Sequence, residues 1–182
     1  EYSSLFENIT SFYPEFPTSG MVQGLFWSLV EPMSPDHFLY LTKILIDLGY
    51  LSLDVEARER VAITSMLVRS IAQNKQDHFT QIQSLFSVEL DRTDSAYTEA
   101  TKEVVISFLN DRSGQLELER LKEGGYFTAA VAAAVVPEAN AFYEDPSGTW
   151  FIEEFRSLLV LGILPKKEQY ELLKKECEKD LF

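Results

Sequence analysis

Cysteine occurs once in this chain and histidine twice, so neither an intramolecular disulfide nor a cysteine-rich zinc site can be assembled from it. The lone thiol, Cys177, fits a reducing compartment, and on that ground an intracellular, cytoplasmic protein is expected. Lysine and arginine are missing before Lys43 and again between Lys122 and Arg156. With 16 basic against 29 acidic residues the formal charge is -13. A chain so poor in cations lacks the side chains that neutralise phosphates, so nucleic acid is not expected as a direct partner.

Other absences narrow the chemistry. The Ala/Val run from Ala129 to Val136 is far shorter than the roughly 20 apolar residues that cross a bilayer, and no membrane span is expected. Glycines are not spaced as a phosphate cradle or a nucleophile elbow. Neither histidine follows a glutamate by three residues, as di-metal helical bundles require. His37 and His78 each follow an aspartate and read instead as polar residues at helix starts. Paired acids such as Glu153 and Glu154 follow from the acidic composition, and Cys177 lies on the apolar side of its segment with Tyr170 and Leu173. No catalytic residue, no metal and no cofactor is expected.

Sustained strand alternation is also lacking, with Val104-Val105-Ile106 the one short stretch of β character. Helical periodicity is everywhere. Leu5, Phe6, Ile9, Phe12 and Tyr13 recur at helical spacing before Pro14, and Met21, Val22, Leu25, Phe26, Leu29 and Val30 mark a second helix before Pro32. Ser34-Pro35-Asp36 combines a capping serine, a first-turn proline and an acid at the positive end of the dipole, predicting a helix to about Leu48 that Gly49 ends. Further helices are expected from Asp54 to about Gln73, around Phe79 to Phe86, from Tyr97 to Leu109, over Leu116 to Leu121, around Trp150 to Leu161, and from Pro165 to Asp180. Aligning Phe38 with Phe151 also matches Leu45 with Leu158, Gly49 with Gly162 and Leu51 with Leu164, a shared corner that suggests a helical repeat.

The fold class that follows is all-α: a multi-helix bundle or stacked αα-hairpins around a buried, Ala/Val-rich central helix at 129 to 136, since a helix apolar on every side must be buried on every side. Residues 1–182 read as one domain, with subdivision near 91–95 or 110–114 as the alternative. The chain begins at Glu1 without a charged-then-apolar leader, which reads as an excised or processed piece, and Asn8-Ile9-Thr10 matches a glycosylation acceptor.

For function, the missing catalytic constellation and the aromatics beside acids point to a non-catalytic protein-interaction domain, an adaptor or scaffold whose partner presents a basic surface. The expected partner-binding residues are Tyr143, Glu144, Asp145, Trp150, Glu153 and Glu154, with Phe16 between its two prolines near the start. The alternative is a helical enzyme or small-ligand carrier with a pocket lined by Trp27, Tyr40, Tyr126 and Phe127.

Overall fold

The computed structural model describes residues 19–111, 114–144 and 157–163 and the positions Glu171 and Lys174, with side chains in the last long helix described as far as Ala139. The described residues are helical without a strand. Seven helices follow one another: α1 Ser19–Leu29, α2 Pro35–Asp47, α3 Ala57–Ala72, α4 Gln76–Phe86, α5 Ser95–Leu109, α6 Gln115–Glu123 and α7 Ala129–Glu144. A helical stretch at 157–161 comes after them. Val104, Val105 and Ile106 lie inside α5, where two of the three face the core, so the β character of that stretch yields to packing.

Local chemistry sets the boundaries. Ser34 caps α2 by accepting the His37 N–H at 3.4 Å, with Pro35 in the first turn. Asp94 does the same for α5, accepting from the Ala96 N–H at 3.0 Å. At α3 the cap is Glu56, whose N–H donates to the Glu59 carboxylate at 2.8 Å.

Four of the helix ends share one geometry. Gly49 has φ +71° and Gly162 φ +79°, as a left-handed terminator demands. At the first corner the Gly49 N–H donates to Ile46 O and the Tyr50 N–H to Leu45 O; at the second, the Gly162 N–H donates to Leu159 O and the Ile163 N–H to Leu158 O. The same pair of bonds closes α3 at Asn74 and α6 at Gly125, both also at positive φ. A closure found at four helix ends is a general solution for orphan carbonyls, so it does not single out the 49 and 162 corners as a repeated unit.

The helix at the centre is α3, which packs against α2, α4, α5 and α6. Its Ile63, Met66 and Leu67 enter one core with Val22, Phe26 and Val30 of the α1 region, Phe38 of α2 and Ile82 of α4. Val68 and Ala72 enter a second core with Val104, Phe108, Leu118, Leu121, Val131 and Leu158. Two cores therefore meet across one helix.

That arrangement corrects the expected centre. Among the described side chains of α7, only Val131, Val135 and Ala139 are buried, while Ala129, Ala130, Ala133 and Val136 are exposed. Alanine is small enough to stand in water at little cost, so an all-apolar Ala/Val run need not be buried on all sides, and α7 lies against α5 along one side. The helix runs through Pro137, which is exposed, and Ala133, whose carbonyl loses its usual donor, is exposed as well.

Long-range polar contacts fasten the helix ends. An Arg120 guanidinium N–H donates to Ala72 O at 2.9 Å, and Lys122 donates to Val160 O, so α6 satisfies terminal carbonyls of two neighbours. The Tyr97 hydroxyl donates to Tyr126 O, and the Arg92 guanidinium lies 4.1 Å from the centre of the Tyr126 ring while donating to Gly125 O at 3.0 Å.

Candidate functional site

A cleft of about 540 Å³ opens between the end of α1, the first half of α3 and the start of α5. Its aromatic wall is Trp27, whose position is fixed by a cluster of rings. Phe26 meets it edge-on at 4.9 Å, and Phe86 and Phe38 lie at 6.0 and 6.4 Å. Phe38 is fully buried among them. Trp27 Nε1 is buried with no hydrogen-bond partner among the described residues.

Four glutamates line the cleft, among small and apolar residues such as Val30, Val61, Ala62 and Ser95. Glu31 comes from the turn that follows α1, Glu59 from the first turn of α3, and Glu99 and Glu103 from α5. Spacing of four puts Glu99 and Glu103 one above the other on the same face of their helix. Glu59 is 8% exposed and is held by the Gln23 side chain at 3.2 Å as well as by the Glu56 N–H, which makes it the anchored member of the set. Two arginines of α3 offset part of the charge: Arg58 lines the cleft, and Arg69 lies close enough to Glu31 and Glu103 to interact with both.

The electrostatics follow from this crowding. Partial desolvation holds the Glu103 carboxyl above its usual range, and the charges of Glu31 and Glu99 push it further in the same direction. Arg69 and a hydrogen bond involving Ser65 oppose the rise without cancelling it. Desolvation lowers the Arg69 guanidinium, against the pull of Glu31 and Glu103. Three carboxylates, all on exposed residues, thus line one cleft among the described residues.

The histidines have structural partners. His78 Nε2 lies 2.9 Å from Asp36 Oδ1, and the other oxygen of Asp36 takes Lys75, so the start of α2 is tied to the start of α4. His37 Nδ1 lies 3.2 Å from the Ser34 hydroxyl at its own cap. Among the described residues no group of three or more His, Cys, Asp or Glu could hold a metal ion, and no helix is long and apolar enough to cross a membrane.

Several residues expected from sequence fall elsewhere. Tyr143 and Glu144 are in the last turn of α7; their side chains, and all of Phe16, Asp145, Trp150, Glu153 and Glu154, lie outside the described residues. The expected pocket of Trp27, Tyr40, Tyr126 and Phe127 is not formed. Trp27 packs on the first core and Tyr126 and Phe127 on the second, while Tyr40 is 47% exposed on α2. Trp27 alone of the four lines the cleft. The sequence reading missed Glu31, Glu99 and Glu103; the i, i+4 spacing of Glu99 and Glu103 is a signal that pairs those two on one helix face, but their meeting with Glu31 is a tertiary fact that no local pattern encodes.

No protein-family model matches the chain, and neither a curated protein nor a solved structure is found to match it.

Proposed function

We propose that this chain is a non-catalytic protein-interaction domain, adaptor-like or scaffold-like, that holds a basic segment of a partner protein in the cleft between α1, α3 and α5. The observation that carries this reading is the excess of four glutamates over two arginines around an open volume, with one carboxyl held high by partial desolvation and, after that, by its like-charged neighbours. Bringing a Lys or Arg side chain among Glu31, Glu99 and Glu103, all three exposed to solvent, relieves the repulsion between them and gives the cation several carboxylate partners. The Trp27 wall offers apolar contact to the stem of the same side chain. The net charge of -13 adds long-range attraction for a basic partner.

A fluorescein-labelled peptide of alternating arginine and serine tests this by anisotropy. Binding that weakens with salt, and that is lost in the double variant Glu31→Lys, Glu99→Lys with unchanged melting, is the expected result. Equal affinity for the double variant would remove the cleft from the reading. The cavity is also large enough for a small ligand, which keeps the pocket alternative in the experiment. Displacement of the peptide by spermidine at comparable concentration would turn the reading toward a small cation.

A further inference from the structure

We draw no further inference here: the strongest candidate, the exposed apolar stripe that Leu25 and Leu29 form along the uncharged helix α1, carries nothing because nothing among the described residues shows what covers it.

Discussion

Gln23 on α1 donates from Nε2 to the Glu59 carboxylate over 3.2 Å, and the other carboxylate oxygen takes the Glu56 N–H at 2.8 Å. One buried side chain therefore caps the central helix and ties the first described helix to it. Glu59→Ala removes both bonds and leaves the Gln23 amide and the Glu56 N–H seeking water, at a cost of about 1–2 kcal/mol. Glu59→Gln keeps the shape and an acceptor and should lose less than half of that. Urea melting of the two variants measures the difference, and equal losses would show that charge rather than hydrogen bonding matters at this position.

The one-sided burial of α7 separates two substitutions of the same kind. Val131→Asp places a charge in the second core and should abolish cooperative folding, since an unpaired buried charge costs several kcal/mol against a total stability of roughly 5–15 kcal/mol. Ala133→Asp, two residues along on the exposed side, should change stability by less than about 1 kcal/mol. Thermal melts decide it, and a folded Val131→Asp protein would show that α7 is not part of the core.

The left-handed helix ends predict opposite signs at two of the four shared corners. Gly49→Val forces a β-branched residue to φ +71° and should destabilise by about 1–2 kcal/mol. Asn74→Gly, at φ +57°, relieves a residue already in that region and should be neutral or stabilising by a few tenths of a kcal/mol. Chemical denaturation with matched slopes tests both.

A raised acid destabilises the folded chain at neutral pH. Glu103 binds its proton more tightly when folded than when unfolded, so its contribution to stability grows as the pH falls from above the folded value and levels off below the unfolded one. Glu103→Gln removes the penalty. After allowing for solvent screening it should be more stable than the wild type by no more than about 0.5 kcal/mol at neutral pH. The gain should vanish in acid, and a gain independent of pH would show that neither desolvation nor the neighbouring acids penalise the carboxylate.

Much of the fold could be read from the chain because its signals are local. Ser34-Pro35-Asp36 starts α2 where the cap chemistry requires, and Gly49 and Gly162 end their helices at positive φ. Buried faces were harder. Met21, Leu25 and Leu29 share the apolar stripe of α1 with Val22 and Phe26, yet all three are about half exposed. With no charged residue anywhere on α1, nothing in its pattern says which half of a wide apolar stripe turns inward. The centre was misplaced for the reverse reason. In α3, Arg58, Glu59, Arg60 and Arg69 make a buried helix look amphipathic, while the Ala/Val composition of α7 makes a half-exposed helix look central. The cleft was the least legible feature, since it needs Glu31 to meet residues about 70 positions further on through packing that only the assembled helices provide.

The two walls of the cleft, α3 and α5, are also helices on which the second core is built, through Val68 and Ala72 on one and Val104 and Phe108 on the other. The gap between the carboxylates is in this sense the jaw of a caliper whose pivot lies in apolar packing further along the same two rods. Thinning the pivot by Val104→Ala changes no residue of the cleft, yet the rods are expected to settle closer and reset the jaw. Under the proposed reading, grip on a basic segment would then gauge how well the distant core is filled.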